Sequence, residues 1–139
     1  MTPTFLLDTN IISELAKKKP DPILEKKVMT TLGACALAAP VLEELAFGIA
    51  RLPACAKQDM LARWLEGIAG RIPILPYDGK AAMWLGHERA RLASRGMTAP
   101  RTDGEIAAIA FTNGLTLVTR NLADFKWFMG LKVENWFRR

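Results

Sequence analysis

The feature that most constrains the fold is a series of short apolar runs separated by helical patterns. The runs lie near residues 4–7, 34–39, 71–76 and 115–119, and a shorter one lies at 132–134. Apolar runs of about five residues that alternate with helices indicate βαβ units, in which a mostly parallel sheet lies between layers of helices. We therefore predict an α/β fold with about five short strands in its central sheet.

The length and composition indicate a single domain over residues 1–139. A chain of 139 residues, half of them hydrophobic, can bury one hydrophobic core. The apolar stretch at residues 33–41 is far shorter than the ~20 residues that span a bilayer, and the first residues lack the pattern of a signal peptide. The two cysteines are too few for a disulfide framework, so we expect a cytoplasmic protein without a membrane segment.

Acidic residues follow two of the predicted strands. Asp8 comes directly after the first strand, and Asp124 lies a few residues after the strand that ends at Thr119. In open parallel sheets, functional groups gather at the carboxyl ends of the strands. We therefore expect both carboxylates to lie at one edge of the sheet.

Helical periodicity selects two further acids. At 100° per residue, Glu44 falls beside the apolar face of its helix, whereas Glu43 points to solvent. Asp103 shares a face with inward-pointing residues, whereas Glu105 faces away. The segment Thr102 to Glu105 also matches a capping box, which gives Glu105 a structural role that Asp103 does not need.

Three of the four acids also have a simpler explanation. Asp8 could cap the first helix, Asp103 could complement the positive end of its helix, and Asp124 could act with an Asn121 cap. Glu44 is near no helix end that needs it, and four such coincidences at one edge favour a functional cluster.

A cluster of carboxylates in a protein of net charge +5 points to a metal site that acts on a polyanion. Two carboxylates 4 Å apart repel by about 4 kcal/mol at an effective dielectric constant near 20, so converging acids require protons, basic partners or a divalent cation. The single histidine, His87, excludes a His-rich site. All-oxygen ligands favour Mg²⁺ or Mn²⁺ over Zn²⁺, and such ions support phosphodiester hydrolysis.

Motifs of several other enzyme classes are absent. The sequence has no glycine-rich loop ending in Gly-Lys-Ser/Thr and no Gly-x-Gly-x-x-Gly after the first strand, which argues against nucleotide-binding folds of those types. It also lacks the Gly-x-Ser-x-Gly elbow of α/β-hydrolases.

The ordered set of motifs resembles a PIN-domain ribonuclease, and most closely the VapC-type toxins of bacterial toxin–antitoxin pairs. The resemblance rests on residues 6–15, 44–49, 103–108 and 117–121, with Asp124. It extends over nearly the whole chain, with the motifs in family order.

This resemblance implies a Mg²⁺- or Mn²⁺-dependent endoribonuclease, a homodimer and a cognate antitoxin that blocks the site. The acidic, metal-binding and catalytic residues would be Asp8, Glu44, Asp103 and Asp124, and the supporting polar residues would be Asn10, Thr119 and Asn121. One departure is Leu42, since the family often has Ser or Thr two residues before the acid that corresponds to Glu44.

Several arginines could contact the phosphates of an RNA substrate: Arg51, Arg101, Arg120, Arg138 and Arg139. Arg101 is the best single candidate, because it lies just before Asp103. Two alternatives to a toxin stay open. One is a PIN-type nuclease that acts in RNA processing without an antitoxin, and the other is a non-catalytic nucleic-acid-binding module whose acids only cap helices.

Overall fold

A computed structural model describes residues 2–137, in which a five-stranded sheet is combined with six α-helices. The strands are β1 (Phe5–Leu7), β2 (Cys35–Ala38), β3 (Ile74–Leu75), β4 (Thr116–Val118) and β5 (Val133–Glu134). The helices are α1 (Thr9–Leu15), α2 (Pro22–Thr31), α3 (Ala39–Ala50), α4 (Ala56–Arg71), α5 (Gly79–Ala93) and α6 (Arg101–Thr112), and short 3₁₀ turns lie at Leu32–Ala34 and Leu122–Asp124. No helix in this part of the chain has both the length and the apolar character that a membrane span requires.

The strand order β3-β2-β1-β4-β5, with every neighbouring pair parallel, confirms the predicted α/β class. The chain passes outward from β1 to β2 and β3, and it then returns to the other side of β1 with β4. The order of the strands therefore reverses between β1 and β4. The crevice at the carboxyl ends of two such strands is where open α/β sheets bind ligands.

The centre of the sheet is covered on both faces. Leu6 and Leu7 are both fully buried in β1, and successive residues of a strand point to opposite faces. Helices must therefore pack against each side, as is usual for parallel sheets. On α6, a side chain at Gly104 would bring its Cβ within 3.0 Å of Leu85 Cδ1 on α5, so this glycine allows the two helices to approach closely.

The two edge strands are the shortest elements of the sheet. The third strand, predicted over residues 71–76, contains only Ile74 and Leu75, because Pro73 and Pro76 on either side cannot donate to a strand ladder. Its predicted edge position is confirmed, and β5 forms the opposite edge. Short edge strands limit pairing with other chains.

The segment after β4 is fixed to α5 by a carboxylate–guanidinium pair. Arg91 Nη2 donates to Glu88 Oε1 at 2.8 Å and to the carbonyl oxygen of Trp127 at 2.7 Å. Glu88 Oε1 also accepts the backbone N–H of Met129 at 3.1 Å. The pair thereby anchors the stretch of chain that follows Asp124.

Candidate active site

Asp8 lies at the carboxyl end of β1 and is almost fully buried. Its Oδ1 accepts the backbone N–H of Thr9 at 2.8 Å, and its Oδ2 accepts the hydroxyl of Thr119 at 2.7 Å. Asp8 is therefore the N-cap of α1, which is the simpler explanation that the sequence offered for this residue. Capping occupies one carboxylate oxygen, and the other belongs to a network that reaches β4.

Burial raises the pKa of the Asp8 carboxyl above its ordinary value. The hydrogen bonds from Thr119 and Thr9 partly offset this rise in pKa. The negative charges of Glu44 and Asp124 increase the pKa again. No basic side chain among residues 2–137 contributes to this shift in the pKa of Asp8.

The Thr119 hydroxyl joins the loops that follow β1 and β4. Thr119 is fully buried, and its Oγ1 accepts the side-chain amide of Asn10 at 3.1 Å and the backbone N–H of Asn121 at 3.1 Å. The side-chain carbonyl of Asn10 accepts the backbone N–H of Arg120 at 3.0 Å. The three residues predicted to support the site therefore form one hydrogen-bonded unit around Asp8.

Glu44 on α3 contacts α1 through Thr9, which was not among the predicted site residues. The Thr9 hydroxyl donates to Glu44 Oε1 at 2.7 Å. This bond gives Glu44 a polar partner, which Leu42 cannot supply. The Asp-Thr-Asn order after β1 was the available signal, because consecutive polar side chains at the start of a helix point in different directions and can contact different neighbours.

Asp103 lies in the first turn of α6 and is partly buried. Burial is the largest cause that raises its pKa to about 6, and the charges of Asp8, Asp124 and Glu44 raise it further. Four acids from four elements of the chain are thus close enough to interact electrostatically.

The predicted capping box at the start of α6 is wrong. The helix begins at Arg101 with Pro100 as its N-cap, and the cap makes no side-chain hydrogen bond. Glu105 is instead held by an ion pair with Arg101, whose nitrogen Nε lies 3.3 Å from Glu105 Oε2. The N-cap lies at Pro100, two residues before the predicted cap at Thr102, because the fixed φ of proline suits a helix entry.

A cavity of about 410 Å³ brings most of the predicted residues together. Its walls are polar and are formed by Asp8, Thr9, Asn10, Ser13, Glu14, Lys17, Glu44, Asp103, Arg120 and Asn121. Asp124 does not line this cavity. It is exposed on the 3₁₀ turn after β4, where its charge still affects Asp8 and Asp103.

The predicted phosphate-binding arginines occupy different places. Arg101 is 84% exposed and lines a neighbouring groove that shares Glu44 with the cavity. Arg120 lines the cavity itself. Arg138 and Arg139 lie outside the described residues.

The oxygen-rich lining suits a hard divalent cation. In residues 2–137, no three His, Cys, Asp or Glu side chains converge to form a ready-made ligand cluster. Mg²⁺ does not require one, since it commonly binds through one or two carboxylates, several waters and the phosphates of the substrate. Burial and, after it, the nearby charges of Asp8, Asp124 and Glu44 raise the pKa of Asp103, and such a cation would neutralise these charges.

Comparison with known proteins agrees with this geometry. Residues 5–126 match the family model of the PIN domain. The "tRNA(fMet)-specific endonuclease VapC" of Salmonella typhimurium is 36% identical over 132 residues, which cover 95% of this chain and 97% of that protein. "Ribonuclease VapC2" of Haemophilus influenzae is 30% identical, with coverage of 95% and 97%.

Solved structures that contain VapC proteins have the same fold. The DNA-bound VapBC of Salmonella typhimurium superposes with a TM-score of 0.86 at 30% identity, and the alignment covers 96% of this chain and 98% of that one. One conclusion follows from the buried aspartate at the β1/β4 crevice, the further carboxylates around one cavity and this similarity over almost the whole length. The chain belongs to the PIN-domain family, and its curated relatives include VapC ribonucleases.

Proposed function

We propose that this protein is a divalent-metal-dependent endoribonuclease that hydrolyses RNA phosphodiester bonds and acts as the toxin of a toxin–antitoxin pair. The observation that carries the proposal is the surplus of negative charge in one cavity. Asp8, Glu44 and Asp103 line that cavity, and their proximity helps to raise the pKa of Asp103 to about 6. Acids that only capped helices would have no reason to line one cavity, which argues against a non-catalytic module.

PIN-domain nucleases generally depend on a divalent metal. For this chain we assign Mg²⁺ or Mn²⁺, held by Asp8, Glu44, Asp103 and Asp124, because a lining of oxygen atoms favours these ions. A bound ion of this kind lowers the pKa of a water molecule and neutralises charge on the phosphate that is attacked. Asn121, which lines the cavity, has an amide oxygen that could do part of the work of the exposed Asp124.

The supporting residues hold the central carboxylate in place. The short bond from the Thr119 hydroxyl fixes Asp8 Oδ2 at 2.7 Å, and Asn10 connects Thr119 to the backbone of Arg120. Thr9 fixes one oxygen of Glu44. These bonds orient the carboxylates before RNA binds, which reduces the reorganisation needed during the reaction.

RNA is the proposed substrate, and initiator tRNA is the first RNA to test. Two of the curated relatives, from Salmonella typhimurium and Shigella flexneri, are tRNA(fMet)-specific endonucleases. Each is 36% identical to this chain. Initiator tRNA should then be cut faster than elongator tRNA for methionine under the same conditions.

The proposed partners are a cognate antitoxin and a second copy of the chain, and the proposed compartment is the cytoplasm. The structural relatives include the VapBC and FitAB assemblies. A VapC-type toxin would require a partner protein that covers the acidic cavity while the cell grows.

The direct test is cleavage of RNA by the purified protein. We expect cleavage with Mg²⁺ or Mn²⁺, none with EDTA, and none with Asp8→Asn or Asp103→Asn, while circular dichroism shows an intact fold. If both variants cut RNA at the wild-type rate, the assignment of the site is wrong.

A second experiment separates a toxin from an RNA-processing enzyme. Expression of the wild-type chain alone should stop growth, expression of Asp8→Asn should not, and co-expression with a small reading frame directly upstream should restore growth. Harmless expression of an active nuclease would instead favour a role in RNA processing.

A further inference from the structure

Two cations line the same cavity as the carboxylates. Lys17 and Arg120 have side chains that are 60% and 52% exposed, respectively, and both face the cavity that contains Asp8. Their nearest acidic partner is Glu14. Lys17 Nζ lies 2.8 Å from Glu14 Oε1, and Arg120 Nη2 lies 3.8 Å from the same oxygen.

Glu14 is buried and serves as the common support of the two cations. Its second oxygen, Oε2, accepts the backbone N–H of Asp21 at 2.9 Å. The carboxylate is thereby fixed between the end of α1 and the start of α2. One carboxylate shared by Lys17 and Arg120 leaves a surplus of one positive charge on this wall of the cavity.

The position of Arg120 is set by the carboxylate site. Its backbone N–H donates to Asn10 Oδ1 at 3.0 Å, and it directly follows Thr119, which binds Asp8. Its guanidinium carbon lies 3.8 Å from the centroid of the Phe137 ring. A guanidinium held by an aromatic ring and a carboxylate loses less conformational freedom when it binds a ligand.

We propose that Lys17 and Arg120 form a subsite for a backbone phosphate next to the one that is cleaved. This inference rests on the proposed function, because it assumes that RNA enters the cavity. The metal ion held by the acids would contact the scissile phosphate. Each neighbouring nucleotide brings another negatively charged phosphate. A guanidinium can bind that phosphate through two parallel N–H donors, while an ammonium supplies a point charge.

Arg101 is less suited to this role. It lies in the neighbouring groove, and its charge is directed to Glu105. The cavity that contains Asp8 is lined by Lys17 and Arg120 instead.

The first test measures the salt dependence of RNA binding. The probe is a short single-stranded RNA, and the Asp103→Asn background with EDTA keeps it intact and reduces repulsion from the metal-free acids. For single strands, the slope of log K against log salt changes by about 0.7 for each phosphate contact. The double change Arg120→Met with Lys17→Met should reduce the slope by about this amount, and each single change should reduce it by part of this amount.

Matched controls remove the same charge elsewhere. Arg89→Met on α5 and Lys57→Met on α4 replace exposed side chains outside the cavity. Each should leave the slope nearly unchanged.

The second test identifies the phosphate. In a series of oligonucleotides, one phosphate at a time is replaced by a neutral methylphosphonate beside a 2′-O-methyl ribose. One replacement should weaken binding of the parent protein several-fold but have little effect on Arg120→Met, because that variant has already lost the contact. A structural role of Arg120 would weaken binding equally for every oligonucleotide.

The outcomes separate this inference from the proposed function. If the wild-type protein cuts RNA but Arg120→Met and Arg89→Met have equal slopes, or if no methylphosphonate shows coupling, the subsite is refuted. Absence of salt-dependent RNA binding in the Asp103→Asn background would refute it as well. If coupling is found but no metal supports cleavage by the wild type, the subsite stands and the nuclease proposal fails.

Discussion

The hydroxyl of Thr119 donates to Asp8 Oδ2 at 2.7 Å across 111 positions of sequence. The bond connects the carboxyl ends of β1 and β4, which are neighbours in the sheet. Both residues are buried, so this contact fixes the central carboxylate of the site.

Replacement of Thr119 by valine should therefore destabilise the protein as well as impair cleavage. The change keeps the shape of the side chain but removes a donor to a buried carboxylate, at a cost of about 1–3 kcal/mol. Urea unfolding with EDTA measures this loss, and Thr116→Val at the start of β4 is the matched control. Equal stabilities for the two variants would show that the Thr119–Asp8 bond contributes nothing.

The raised pKa of Asp103 predicts an unusual dependence of stability on pH. Its pKa is about 6 in the folded protein, against an ordinary value of 3.8. A raised pKa means that the folded state binds the proton more tightly, so this contribution to stability is complete below about pH 4 and is lost as the pH rises through about 6. Without metal, Asp103→Asn should be more stable than the wild type at neutral pH.

The measurement is urea unfolding with EDTA at about pH 5 and about pH 7. The advantage of Asp103→Asn over the wild type should shrink at the lower pH, where Asp103 is mostly protonated. Added Mg²⁺ or Mn²⁺ should reverse the order at neutral pH. An advantage that is the same at both pH values would exclude Asp103 as the titrating group.

Glu44 and Glu43 offer a matched pair of adjacent acids. Glu44 lines the acidic cavity, whereas Glu43 lines only the neighbouring groove. Glu44→Gln should reduce both cleavage and the stabilisation by metal, which at a concentration of 100 times Kd amounts to about 2.7 kcal/mol. Glu43→Gln should retain both.

The shift in Tm on addition of Mg²⁺ or Mn²⁺ measures this effect without RNA. A metal-induced shift in Glu44→Gln as large as in the wild type would remove Glu44 from the set of ligands.

The order of the elements and the position of Asp8 were predictable because both depend on local pattern. Apolar runs define strands wherever they occur, and a polar residue directly after a parallel strand must lie at its carboxyl end. The choice of Glu44 over Glu43 needed only the helical period.

The contacts between distant elements were not predictable in this way. The bond from Thr9 to Glu44 depends on how α1 packs against α3, which no local pattern specifies. The start of α6 was placed too late because the capping box competed with Pro100, whose fixed φ determined the boundary. The preference for Arg101 followed from nearness to Asp103 in sequence, whereas the place of Arg120 at the cavity depends on the hydrogen bond that its backbone N–H donates to Asn10 Oδ1.

The role of Asp124 can be tested through its effect on Asp103. Asp124 is exposed, yet its charge is among the causes that raise the pKa of Asp103. Asp124→Asn should therefore lower the pKa of Asp103, because a like charge nearby disfavours ionisation. NMR titration of the Asp103 carboxyl carbon, without metal, measures this shift directly.

The same variant also shows whether Asp124 or Asn121 contributes more to cleavage. Asn121 lines the cavity, so Asn121→Ala should impair cleavage more than Asp124→Asn if the amide completes the site. The reverse order would make Asp124 the fourth ligand, with the 3₁₀ turn moving inward when metal binds. An unchanged pKa of Asp103 in Asp124→Asn would show that the two acids are too far apart in solution to share an ion.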